Sequence, residues 1–363
     1  MSCASCHDPA HAYAPANALA VQLGGLKLDR AGTRAVPTLM YKEFTKAYSD
    51  RYENPDRVTP PAPGGGFTWD GRARSLAEQA ATPLLAPNEM ANASSKDVVR
   101  KLRAAPYAAR FREVFGPDVF ASARLAFDKA LAALQAFQLE DRSFHPYSSR
   151  FDRYRNNKKG GTLTESERRG LLVYLDPHKG NCAACHLLGN GNDGSHDMTS
   201  DYSYSAVGVP RNREIPANAD PAYFDLGLCG PLRKDARARS TCGMFKAPIL
   251  RNVATRRVFM HNGYFKSLDD VLKFYQTRDT HPERWYPRAT GGAVQKFDDL
   301  PATFRANLDS QLPLDGRPAG SPSPFTDAER DDLRAFLETL TDEAFLPQSV
   351  PPPPAVGKSG ESL

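Results

Sequence analysis

Cys3-Ala4-Ser5-Cys6-His7 opens the chain, and Cys182-Ala183-Ala184-Cys185-His186 repeats the pattern near its middle. This spacing suits one chemistry closely. Two thiols can add to the two vinyl groups along one edge of a porphyrin, and the next residue can turn its imidazole under the ring to bind iron. A redox dithiol is one alternative, but it expects a βαβ context, and strand-like alternation is scarce here. A zinc site is another. It needs four ligands, which the two pairs together with His7 and His186 could supply in principle. Two intact copies in one chain favour covalent haem. Haem of this type is attached outside the cytoplasm, so a periplasmic protein is expected. The third pair, Cys229 and Cys242, lacks a following histidine and encloses a short polar loop. In an oxidising compartment it reads as a disulfide, with two free thiols as the alternative.

Outward from these motifs, composition removes several classes. A chain of 363 residues with 40% hydrophobic and 10% aromatic residues can form sizeable cores, so wholesale disorder is excluded. Thirty prolines and 26 glycines imply much irregular loop. No apolar run approaches the ~18 residues of a membrane span. The net charge of +5 comes from scattered Lys and Arg without a basic stripe, which argues against nucleic acid. The numbering reaches a motif cysteine by residue 3 with no charged or apolar leader, so a signal peptide is expected to be absent from it.

The remaining pattern is mostly helical. Ser94 and Asp97 resemble a capping box before a helix over 98–115, and Phe127, Leu131, Leu134 and Phe137 recur at helical spacing within 121–139. Thr164 with Glu167, and Thr326 with Glu329, are capping boxes opening further helices. A polar stretch, 148–162, separates the two halves. The expected organisation is an N-terminal unit 1–155, a C-terminal unit 156–345 and a Pro-rich disordered tail 346–363, with long loops over 187–228 and 276–322 packed around something.

Further fragments fall between and after the motifs. They are Phe67-Thr68-Trp69-Asp70-Gly71-Arg72, Ala80-Ala81-Thr82-Pro83, Asn88-Glu89-Met90, Phe245-Lys246-Ala247-Pro248-Ile249-Leu250-Arg251-Asn252, Met260-His261-Asn262-Gly263-Tyr264-Phe265 and Ser267-Leu268-Asp269-Asp270. In this order, over residues 3 to 341, they resemble the bacterial dihaem cytochrome c peroxidases and their MauG-like relatives. The resemblance implies an all-α fold of two cytochrome c-like domains facing each other, each with one covalent haem c. The N-terminal haem would meet hydrogen peroxide and the C-terminal haem would store or relay an electron, with Trp69 between them. Plain core packing is the alternative for Trp69.

Gln79, Pro83 and Glu89 lie 10, 14 and 20 residues after Trp69. In the MauG-like enzymes those offsets carry a distal glutamine, a proline beside the iron and an acid/base glutamate. Splitting peroxide needs a carboxylate to move a proton between its oxygens, and a donor to polarise the leaving oxygen. A solvated helix face is the bland alternative. No histidine occurs between His11 and His145, so the resemblance implies an open N-terminal iron that needs no reductive activation. Tyr275 stands 14 residues after His261 and 89 after His186, where the MauG-like enzymes place an axial tyrosine. A phenolate lowers the potential and favours highly oxidised iron. The rival is Met260, with Tyr275 as a core residue.

Two carry-overs are weakened. The family's calcium positions read Ala35, Arg256 and Val258, where Asn, Thr and Pro are usual, which leaves only backbone carbonyls to bind calcium. Gly180 and Asn181 stand where MauG has the surface tryptophan it uses on methylamine dehydrogenase, so that substrate is not expected. The leading expectation is a periplasmic dihaem peroxidase fed by a small cytochrome c or cupredoxin. Its runner-up is a MauG-like oxidase that modifies a residue of a partner protein. Gln79 and Glu89 argue against a plain electron carrier.

Overall fold

The computed structural model describes residues 1–189, 196–235 and 238–346; most of the expected tail lies outside the described residues. Among the described residues eight α-helices carry the regular structure: α1 (Leu76–Leu85), α2 (Ser95–Arg103), α3 (Ala108–Phe115), α4 (Ala123–Glu140), α5 (Arg150–Arg155), α6 (Glu165–Leu175), α7 (Leu268–Thr277) and α8 (Asp327–Glu338). Side-chain caps decide several of their starts. Thr164 and Thr326 form reciprocal boxes with Glu167 and Glu329, satisfying amides that the first turn leaves without partners. Ser94 caps α2, but that helix does not continue to residue 115. Pro106 cannot donate an amide or continue the helix, so a turn separates α2 from α3. In α4, Phe127 and Leu131 are buried as their spacing requires. Phe137 instead is 52% exposed and lies edge-on to Phe144 with ring centroids 5.1 Å apart.

The chain is mostly helical, as expected, and among the described residues three two-stranded antiparallel ribbons add to the helices. They pair β1 (Leu23–Gly24) with β2 (Arg30–Ala31), β3 (Ser49–Tyr52) with β4 (Ala62–Gly64), and β5 (Tyr204–Ser205) with β6 (Phe245–Lys246). They pin the long loops. β5 and β6 join segments forty residues apart in register Tyr204↔Lys246 and Ser205↔Phe245.

Two cores form. Ala80, Val99, Phe111, Phe120, Ala126, Phe127 and Leu131 pack α1–α4 together. Phe151, Tyr174, Phe274, Leu333, Phe336 and Leu337 centre the second core on α5–α8. α6 lies close against α8: a Cβ on Gly170 would stand 2.0 Å from the Asp332 carbonyl oxygen. α5 sits inside the first of the two expected units, yet its Phe151 packs in the second core and its amide donates to the Thr339 carbonyl (3.1 Å). Between the cores, Met40, Tyr41 and Tyr52 pack with Met198 and Tyr202. The seam is polar as well: Tyr41 Oη donates to Asp342 at 2.5 Å, and Asn252 Nδ2 donates to the same carboxylate at 2.7 Å. Long loops of the C-terminal half, with β5 and β6, enclose a large cavity that reaches the segment around Trp69.

Candidate functional site

Each Cys-x-x-Cys-His motif folds as one tight turn closed by the histidine amide. His7 N donates to the Cys3 carbonyl at 2.9 Å and His186 N to the Cys182 carbonyl at 2.8 Å. The second anchor is also shared. His7 Nδ1 lies 3.1 Å from the Tyr13 carbonyl oxygen, and His186 Nδ1 lies 3.2 Å from that of Thr199. A carbonyl only accepts, so Nδ1 carries the proton and Nε2 keeps its lone pair, the arrangement a ligating imidazole needs. Burial pushes both imidazoles down to about 4, so they are neutral at pH 7.

The four motif cysteines are unpaired. Burial raises Cys182 and Cys185 to about 12, and burial, then Glu89 and Cys3, raises Cys6. Raised thiols are the opposite of an activated redox dithiol. Among the described residues no three His, Cys, Asp or Glu side chains converge as a metal site, so the zinc alternative loses its ligand set. Cys229 and Cys242 are joined as a disulfide, Cα atoms 5.0 Å apart. Within their loop, Arg233 Nη1 donates to the Asp70 carbonyl at 2.6 Å.

Trp69 is fixed from both halves. Its Nε1 donates to the Ala35 carbonyl (2.8 Å), and its own carbonyl accepts from the Lys246 amide (2.9 Å) on β6. Next to it, Asp70 is fully buried and ion-paired to Arg34 (2.8 Å) and Arg72 (2.9 Å), which makes that part of the motif a structural clamp. Trp69 lines the same cavity as Cys182, Cys185, His186, Met260 and Tyr275. Tyr275 projects from α7. Burial, followed by the neighbouring Cys185 and Cys182, holds its phenol above the ordinary range, and among the described residues its hydroxyl has no hydrogen-bond partner.

Gln79 and Pro83 stand one turn apart on α1. Glu89 follows in a turn closed by Met90 N to Pro83 O (3.0 Å) and tied to the β1–β2 ribbon by Gly25 N to Glu89 O (2.7 Å). A Cβ on Gly24 would meet the Asn88 carbonyl oxygen at 2.2 Å, so only glycine permits this approach. Burial raises the Glu89 carboxyl against the opposing charge of Arg72. Because Glu89 in turn raises Cys6, the glutamate lies beside the N-terminal motif. Sequence reasoning gave no role to Lys42, Lys246 or Arg72. Lys42 and Lys246 line the cavity, and Arg72 sits close enough to act on Glu89; only Lys246 and Arg72 lay inside quoted motifs.

This pairing of two matched turns around one tryptophan agrees with comparison to known proteins. The Di-haem cytochrome c peroxidase family profile matches residues 1–160. The methylamine utilization protein MauG of Paracoccus denitrificans is 32% identical over 358 residues, covering 95% of this chain and 84% of that protein. The chain therefore belongs to the dihaem cytochrome c peroxidase/MauG family, and it is an oxidoreductase of the haem peroxidase class. The cytochrome-c peroxidase IdrP1 of Pseudomonas sp. (strain SCT) is 25% identical, covering 98% of this chain and 81% of that protein. The crystal structure of the diheme peroxidase BthA from Burkholderia thailandensis superposes with a TM-score of 0.82 at 39% identity, covering 95% of this chain and 82% of that one. No described helix is long and apolar enough to cross a membrane.

Proposed function

We propose that the protein is a periplasmic dihaem peroxidase that reduces hydrogen peroxide to water at the His7 site, with one covalent haem c on each motif. The single observation that carries the reading is the matched anchoring of His7 and His186, each with Nδ1 on a carbonyl, beside two unpaired thiols. These residues fit the group. When bound, the haems supply the redox chemistry, taking two electrons to peroxide.

The chain's own residues do the rest. Glu89 moves a proton from one peroxide oxygen to the other; a carboxyl raised by burial suits that exchange better than an ordinary one. Gln79 donates a hydrogen bond to the departing oxygen, and Pro83, one turn on, limits the space beside the reacting atoms without offering a competing amide. Trp69, gripped by both halves, holds an indole on the path between the sites. His186 and Tyr275, which line one cavity, would hold the iron of the second group. The partnerless hydroxyl of Tyr275 facing the His186 cavity supports Tyr275 over Met260. Electrons would come from a small cytochrome c or cupredoxin.

The same tyrosine favours a second reading, a MauG-like oxidase that modifies a residue of a partner protein. Peroxide added to the ferric protein separates the possibilities. An immediate spectral change is expected under both readings, and turnover with a reduced cytochrome c or cupredoxin then selects the peroxidase. A response only after prior reduction would remove the open-site reading, and no response would leave an electron carrier.

A further inference from the structure

Four cations line the cavity with Trp69 and His186; Arg251 pairs with Asp152 at 2.6 Å, which leaves Lys42, Lys246 and Arg256. Among the described residues none has a carboxylate within ion-pair distance. Lys246 Nζ donates to the Gly66 carbonyl (2.5 Å) and Arg256 Nη2 to the Val36 carbonyl (2.8 Å), whereas Arg256 Nη1 is buried without a partner. The cavity's own carboxylates are engaged elsewhere. Asp225 takes Arg34 at 2.6 Å, Asp299 takes Arg211 at 3.2 Å, and Asp309 accepts from the Ser205 hydroxyl. The three cations also sense one another. Burial, then Arg256, lowers Lys42 to about 8; burial, then Lys42, lowers Lys246 to about 7; burial alone lowers Arg256 to about 10. Arg256 and Lys42 act on His7 as well, and all three cations line the cavity that holds His186. Buried, unpaired positive charge is costly unless an anion meets it.

A calcium ion does not fit here. It needs six to eight oxygens. The Val36 carbonyl accepts from Arg256 and the Ala35 carbonyl from Trp69, and among the described residues no cluster of acidic side chains replaces them. Three cations nearby would repel a divalent ion. We propose that Arg256, Lys42 and Lys246 take the place of a divalent cation between the two sites and present their charge to the haem carboxylates. The haem groups provide the missing anions, and a guanidinium at 256 supplies from the chain itself the charge that calcium would otherwise bring.

This inference rests on the two-haem reading, so haem content is measured first in the purified holoprotein and in every variant. One haem per chain, or none, in the parent would sink that reading itself. With two haems present, elemental analysis should find no stoichiometric calcium, and EGTA should leave the ferric spectrum and both midpoint potentials unchanged. Arg256→Met and Lys42→Met each remove a positive charge that favours the reduced form, so each should lower at least one potential, while Arg256→Lys should hold it near the parent value. One calcium per chain, a spectrum that shifts with EGTA, or unchanged potentials in both Met variants would overturn the proposal. If Arg256→Met fails to retain its haems, Lys42→Met decides alone.

Discussion

The two motif turns share their hydrogen bonds and differ in their surroundings. At the N-terminal turn Cys3 is exposed and Cys6 half-buried, and the nearby wall is a short ribbon and the turn carrying Glu89. At the C-terminal turn, Tyr174 donates to the His186 carbonyl, burial raises both thiols, and the cavity is closed by aromatic and aliphatic side chains from α6, α7 and α8. On the proposed function, the same turn would serve two tasks through its neighbours. A site that must admit a small oxidant keeps a thin wall and a movable proton. A site that only passes electrons can be sealed, because electrons cross packed protein and substrates do not.

The sharpest way to break this contrast is Glu89→Gln, which keeps size and removes the base. The reaction with peroxide should slow by roughly 10²–10⁴-fold while the spectrum of the C-terminal site stays unchanged. Stopped-flow absorbance checks both halves of that statement; an unchanged rate would leave Glu89 only a structural part of its turn.

Next comes stability of the sealed half. Arg251 makes a buried bidentate pair with Asp152 (2.6 and 2.9 Å). Burial pushes the Asp152 carboxyl up, but the bonds and charge of Arg251 outweigh it and the net shift is downward. Arg251→Met should cost roughly 3–5 kcal/mol at neutral pH by stranding the carboxylate. Since the folded value lies below the unfolded one, the contribution is full above the ordinary carboxylate range and fades as pH falls through the folded value. Denaturant titrations at pH 7 and pH 3 should therefore show the parent and variant converging in acid.

Tyr275→Phe sharpens the comparison spectroscopically. Both haems should remain attached and the ferric spectrum should change; an untouched spectrum, or a near-infrared sulfur-to-iron band in the parent, would pass the ligand role to Met260. The smallest effect is expected in the open half. Ser94→Ala removes the cap of α2 and should lower stability by about 1 kcal/mol, read by thermal melts. Non-reducing peptide mapping should recover Cys229 and Cys242 as one cross-linked peptide.

What was legible in the sequence was local. A cap three residues before its glutamate, as at Thr164 and Thr326, is decided within one turn, and the motif spacing is fixed by porphyrin geometry. Pro106 was equally visible, and its break was simply overridden by the helical period on either side. Phe137 shows the converse: helical spacing alone does not bury a ring, and this one covers Phe144 edge-on from outside. β5 and β6 are two residues each, too short for any period to register, and their pairing depends on loop closure across forty residues. Lys42, Lys246 and Arg256 meet only in three dimensions. Arg256 could be noticed as an oddity in sequence, but its two companions could not.

The disulfide loop has a consequence for how the protein must be made. Its Arg233 holds the carbonyl of Asp70, one residue beyond Trp69, so the cross-link and the indole belong to one mechanical unit. A production host that attaches haem while failing to oxidise thiols would yield a preparation that is correctly coloured yet loosely strung at its centre. Pigment alone is then a poor quality control for this enzyme, and thiol titration belongs beside the absorbance ratio when batches are compared.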